Sequence, residues 1–217
     1  MAASINMHNR MKGALWGVFV GDALAMPVHW YYDRHALLRD YGRVSDYLAP
    51  RNPHPDSILW RSSYTPLNRS GDILHEQGRF WGRPNVHYHQ FLEAGENTLN
   101  LKICHLLVRH LAENAGYDAD TFLDQYIDFM TTPGNHRDTY LEEYHRHFFT
   151  QYALGSPPRH CGVAEKHISG LIGMVPIAVY YAEAPDTARK KAIEHLQLTH
   201  LGDRMAAAGN LFLDILL

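Results

Sequence analysis

Three short stretches hold side chains whose types and spacing could do chemistry: Gly21-Asp22-Ala23-Leu24, His29-Trp30-Tyr31-Tyr32-Asp33 and Glu96-Asn97-Thr98. Asp22 follows an amphipathic run in which Met11, Leu15, Val18 and Phe19 fall at i, i+4, i+7 and i+8, the spacing of one helical face. A carboxylate at the end of an apolar helix meets an unfavourable macrodipole, and if buried it needs a partner. The simplest account is a core acid bonded to a nearby amide or hydroxyl. Pro27 closes that segment, and the block after it gathers polar-tipped aromatics suited to the wall of a cleft. His29 can serve there as a base, since the ordinary imidazole pKa is about 6.5. Glu96, Asn97 and Thr98 precede an apolar helical pattern of Leu99, Ile103, Leu106, Leu107 and Leu111. Their oxygens therefore fall at a helix N-terminus, where capping alone accounts for them. His87 and His89 share one side of an extended segment and, with His75 and Glu76, are a candidate soft-metal group. There is no GxSxG elbow, phosphate-binding GxxxxGK or CxxC.

The elements that must position these residues are helical. A first helix is expected from about Asn9 to Met26, after a frayed terminus over residues 1 to 9. Its Gly13, Gly17 and Gly21, four apart, predict a seam for close approach of a second backbone, and so a buried helix. A short helix follows over His35–Tyr41, with Asp33 as cap and Gly42 as stop. Residues 43–86 lack periodicity and are rich in Pro, Gly, Ser, Asn and His, yet Trp60, Tyr64, Phe80 and Trp81 predict a packed lid or cleft-lining excursion. Further helices are expected from Asn97 to before Gly116, over Ala119–Met130 capped by Asp118, and over Asp138–Leu154. The turn from Thr131 to Asp138 suits a cleft rim as well as a plain connection. A run over Val163–Tyr181 should be kinked at Pro176, and two last helices should cover Thr187–His200 and Met205–Leu217. Proline-broken helices joined by long loops predict one all-α domain over 1–217, an orthogonal multi-helix array rather than an up-down bundle. The chain stops on Asp214-Ile215-Leu216-Leu217 without a cap, as if its C-terminal part were missing.

Composition narrows the function classes. Lys and Arg total 20 against 23 Asp and Glu, a net charge of −3, so no basic face for nucleic acid is implied. No apolar run approaches the roughly 20 residues of a membrane span. Cys104 and Cys161 are the two cysteines, and with no signal peptide they fit a reduced, cytoplasmic protein.

The block Gly13 to Leu24, GALWGVFVGDAL, resembles the N-terminal signature of the ADP-ribosylglycohydrolase family, which includes the J1 crystallins of jellyfish lenses. A Thr-His followed by an acid, here Thr199-His200 and Asp203, is a second similarity, and Gly95-Glu96-Asn97-Thr98 stands where the family has a metal-binding Thr-Asp-Asp-Thr segment. The resemblance implies an all-α fold, two Mg²⁺ or Mn²⁺ ions, and hydrolysis of the bond between ADP-ribose and a modified side chain or related group. Glu96, Asn97 and Thr98 would then form the near metal shell, Asp22 would brace it, His29 would face the ribose, and Trp30, Tyr31 and Tyr32 would bind ADP-ribose. Two departures count against turnover: Asn97 replaces an acid, removing one unit of charge that compensates the cations, and His29 stands where a Glu often follows the GDAL motif. The alternative that the resemblance implies is an inactive homologue that binds ADP-ribose or serves as a crystallin J1-like structural protein.

Overall fold

The computed structural model describes residues 7–164 and 166–217. Of the expected frayed terminus, residues 1–6 lie outside the described residues, and the first helix begins at Met7. The helices are α1 (Met7–Ala25), α2 (Arg34–Asp40), α3 (Leu99–Glu113), α4 (Ala119–Thr131), α5 (Glu143–Ala153), α6 (Met174–Tyr180), α7 (Pro185–Leu196) and α8 (Asp203–Leu216). Two-residue strands β1 (Val163–Ala164) and β2 (His200–Leu201) pair in parallel, Val163 opposite His200. The fold is all-α. Among the described residues no helix is long and apolar enough to cross a membrane.

One core joins the later helices. Leu107 and Leu111 of α3, Phe122 and Met130 of α4, Phe148 and Phe149 of α5, Ile177 of α6, Leu196 of α7 and Leu213 of α8 are all buried in it. Local signals set several boundaries: Asp33 accepts from His35 N to start α2, Asp118 accepts from Thr121 N to start α4, and Gly42 takes the left-handed φ of 64° past the end of α2.

Helix α1 departs from expectation. It buries only Met11 and Ala23, Trp16 is 68% exposed, and a Cβ on Gly13, Gly17 or Gly21 would meet nothing within 4 Å. Its apolar residues run round the helix instead of gathering on one face, since Leu15, Trp16, Val18, Phe19 and Val20 are nearly consecutive. The close approach of glycine to a neighbour occurs elsewhere: a Cβ on Gly170 would lie 2.7 Å from His200 Nδ1.

Three other boundaries shift. Residues 138–142 are not helical, and α5 starts at Glu143, because Asp138 turns inward to bond groups outside its own segment. Pro176 is the third residue of α6, where its missing N–H has no intrahelical role, so it makes no mid-helix kink. Helix α7 ends at Leu196 because His200 is drawn into β2.

Residues 43–86 form three 3₁₀ turns, Leu59–Arg61, Arg69–Gly71 and His75–Phe80. They bury Leu59, Ile73 and Leu74. Leu59 packs with Val86 and Tyr88 in a second apolar cluster, against Trp30, Trp81 and Tyr140. This cluster is the ground behind His29 and His89.

Candidate active site

The site grows from the N-terminus of α3. Thr98 is its N-cap residue, but the hydroxyl makes no capping bond. Instead Asp22 reaches across from α1. Its Oδ2 accepts from Thr98 N at 2.8 Å and Asn97 Nδ2 at 2.9 Å, and its Oδ1 accepts from the Thr98 hydroxyl at 2.7 Å. Asn97 Nδ2 also donates to Phe19 O at 2.8 Å. The next amide, Leu99 N, donates to Asp138 Oδ2 at 2.9 Å. Two carboxylates from distant parts of the chain thus satisfy the first free amides of α3 and lie at the positive end of its macrodipole.

Asp138 is 1% exposed, and its second oxygen sits 2.6 Å from His89 Nδ1. His89 Nε2 in turn lies 2.6 Å from His29 Nδ1, with the ring planes within 9° of each other and the centroids 4.9 Å apart. Behind them the His89 amide donates to His87 Nδ1 at 3.0 Å, and His87 Nε2 lies 3.1 Å from Pro27 O. Burial would raise the Asp138 pKa, but the hydrogen bonds from His89 and Leu99 N, with the nearby imidazoles, together hold the carboxyl below its ordinary value. Desolvation pushes His29 down to about 3, against the opposing pull of Asp138. His87 is pushed down to about 3 chiefly by burial.

His29 opens on a cleft of about 510 Å³ that it shares with Asp22, Thr98, Asn100 and Glu142, walled by Val18, Ile172, Val175 and Phe212. Glu142 is held by Asn100 Nδ2 at 2.7 Å. Asn100 Oδ1 accepts from Tyr144 OH at 3.1 Å and is 3.1 Å from His145 Nε2, whose Nδ1 meets Tyr126 OH at 2.6 Å. The carboxylate in the cleft is therefore fixed by a buried polar chain running into the core.

Asp22, His29 and Thr98 come together, then, while Glu96 and Asn97 open on a different groove with Trp16, Phe19 and Lys102. Glu96 is bonded to Lys102 at 2.6 Å and to Arg137 at 2.8 Å. The three aromatics part company. Trp30 stacks on Tyr88 at 4.9 Å, Tyr31 stacks on His54 at 4.2 Å and donates to Asp40, and Tyr32 is 63% exposed. None of the three lines the cleft that holds His29. The soft-metal group also separates, because His75 Nε2 contacts Met130 O while His87 and His89 are committed as above. Sequence reasoning missed Asp138, Asn100 and Glu142. Asp138 carried a signal, an acid in a turn of rim-like composition, whereas Glu142 carried none.

The sequence pattern of the ADP-ribosylglycohydrolases matches residues 3–216. The chain belongs to the ADP-ribosylglycohydrolase family. No curated protein sequence matches it.

ADP-ribosylglycohydrolases are generally metal-dependent, and the donor set here can be tested against that need. Asp22 already accepts three hydrogen bonds, and Glu96 is neutralised by two cationic side chains. Among the described residues no group of three His, Cys, Asp or Glu could hold an ion. Hard cations need several free oxygens with negative charge among them. The residues as arranged do not fit a metal pair.

Proposed function

We propose that this member of the ADP-ribosylglycohydrolase family hydrolyses ADP-ribose conjugates, releasing ADP-ribose from a modified side chain or a related leaving group. The observation that carries the reading is the meeting of His29 and Glu142 in one apolar-walled cleft, each held from behind by a buried polar chain. Glycosyl transfer passes through a state with positive charge on the sugar ring, which a carboxylate stabilises while a base takes a proton from the attacking water. Glu142 is the carboxylate placed for the first role, and His29 is the imidazole placed for the second. Water oxygen bonds to the anomeric carbon, its proton goes to His29, and the leaving group departs with the bonding pair. A cationic leaving group, such as a ribosylated guanidinium, leaves neutral and needs no separate acid.

A second reading has its own support. The ion pairs of Glu96 and the three bonds at Asp22 leave the family's metal shell unformed, which favours an inactive homologue that binds ADP-ribose or a crystallin J1-like structural protein. Turnover of an ADP-ribosylated peptide, with and without Mg²⁺ or Mn²⁺, decides between them when measured beside calorimetry with ADP-ribose. Turnover that is lost in His29→Ala and Glu142→Gln supports the hydrolase. Binding of ADP-ribose without turnover supports the inactive homologue, and neither binding nor turnover leaves the structural role.

A further inference from the structure

The hydrogen bonds behind His29 determine which of its nitrogens faces the cleft. An ionised carboxylate can only accept, and Asp138, accepting from Leu99 N at the start of α3, is placed to stay ionised. His89 Nδ1, 2.6 Å from Asp138 Oδ1, must therefore carry a proton and donate it. A neutral His89 then has only a lone pair at Nε2. The ring nitrogen facing that lone pair at 2.6 Å, His29 Nδ1, must be the donor. His87 independently fits a neutral network, since its Nδ1 accepts from the His89 amide and its Nε2 faces a carbonyl that can only accept.

We propose that Asp138 and His89 are positioning residues that lock His29 as its Nδ1–H tautomer and so present Nε2, bare, to the cleft as the base. Among the described residues no protein group bonds Nε2 of His29, and the ring lines the cleft. When Nε2 takes a proton, Nδ1–H keeps its bond to His89 Nε2 and the ring stays oriented on the cleft. The competing arrangement is a protonated His89 that donates from both nitrogens, which would reverse His29 and put a proton on Nε2. In that arrangement two imidazoles, His29 and His87, would flank the charged ring, with ring centroids 4.9 and 5.9 Å from it, and the protonation of His29 Nε2 tells the two arrangements apart. Of the other charged groups, Asp22 shares the cleft with His29, and Glu142 lines both that cleft and a small pocket that holds His29, His89 and Asp138.

The tautomer stands on geometry alone, whereas its use as a base rests on the hydrolase reading, so the test separates the two. Two-bond ¹H–¹⁵N spectra of the ¹⁵N-labelled full chain near neutral pH report the protonation of each imidazole nitrogen. A protonated Nδ1 and bare Nε2 on His29 are expected, together with a strongly downfield proton on His89 Nδ1. In His89→Phe, which cannot accept from His29, the His29 signals should move to a mixture of tautomers. If the hydrolase reading also holds, kcat should fall by about 10²-fold with KM unchanged. A proton on His29 Nε2 in the wild-type spectrum overturns the proposal whatever the activity, and that spectrum decides even if the variant fails to fold. The expected tautomer without any turnover upholds the positioning role and refutes the hydrolase reading.

Discussion

Replacing Asp22 tests how far the site depends on carboxylates that cap α3 from outside. Its two oxygens do unequal work. Oδ2 serves two N–H donors, Thr98 N and Asn97 Nδ2, while Oδ1 serves only the Thr98 hydroxyl. An Asn at this position keeps its oxygen toward the two N–H groups and turns its NH₂ toward Thr98, whose hydroxyl can rotate and accept. Asp22→Asn therefore loses the charge assistance of three bonds and the attraction to the start of α3, but orphans no donor, a loss of about 2 kcal/mol. Asp22→Ala removes every acceptor and leaves Thr98 N unpaired at a half-buried helix start, so about 4 kcal/mol is expected. Urea unfolding of both variants, with m unchanged, gives the two values from the shift in midpoint. Equal losses, or losses below about 0.5 kcal/mol in both, would refute the cross-capping of α3.

Acid should destabilise the chain through buried histidines. His87 is fully buried and its pKa is pushed down to about 3. The unfolded chain therefore binds the extra proton between that value and about 6.5, and stability is complete above this window and lost as pH falls through it. Its share is about 2 kcal/mol between pH 7 and pH 5, and unfolding curves of His87→Gln should show a correspondingly flatter pH dependence. On α1, Gly17→Ala and Gly21→Ala should each stabilise by about 0.5 to 1 kcal/mol, since both sites are exposed and open. Gly170→Ala should instead cost about 1 to 3 kcal/mol, because its Cβ would overlap the His200 ring. Thermal melts of the three variants check the contrast, and a stabilised Gly170→Ala would show that the ring can move aside.

What the sequence made legible was local. Asp33 with Gly42 and Asp118 with the apolar pattern after it fixed α2 and α4, because a cap and its amide lie within three residues of each other. The exposure of α1 was hidden, since a nearly continuous apolar stretch satisfies a helical template without saying which side is covered. Pro176 misled for a similar reason. A proline costs a hydrogen bond only if a full turn precedes it, and the 3₁₀ turn Ile168–Gly173 ends just before α6. The site was half legible. Asp22, His29 and Thr98 could be read as chemistry-bearing residues, but Asp138 acquires its role only when folding brings it 39 positions back to Leu99 and 49 back to His89.

The distances suggest why the cap and the candidate base belong to one construction. The first amides of α3 require acceptors, and Thr98 does not supply one, its hydroxyl being turned toward Asp22 with no capping bond. Asp22 takes Thr98 N, and Leu99 N is left for a second acid. Any acceptor could satisfy that single amide. Asp138, however, is buried, so its remaining oxygen also needs a donor, and His89 Nδ1 is the one placed there. An amide side chain would answer one of these two demands and oppose the other, since it accepts at one end and donates at the other. Only a carboxylate accepts at both. The group that completes the helix start thus also fixes the protonation of His89, and through it which nitrogen His29 turns to the cleft.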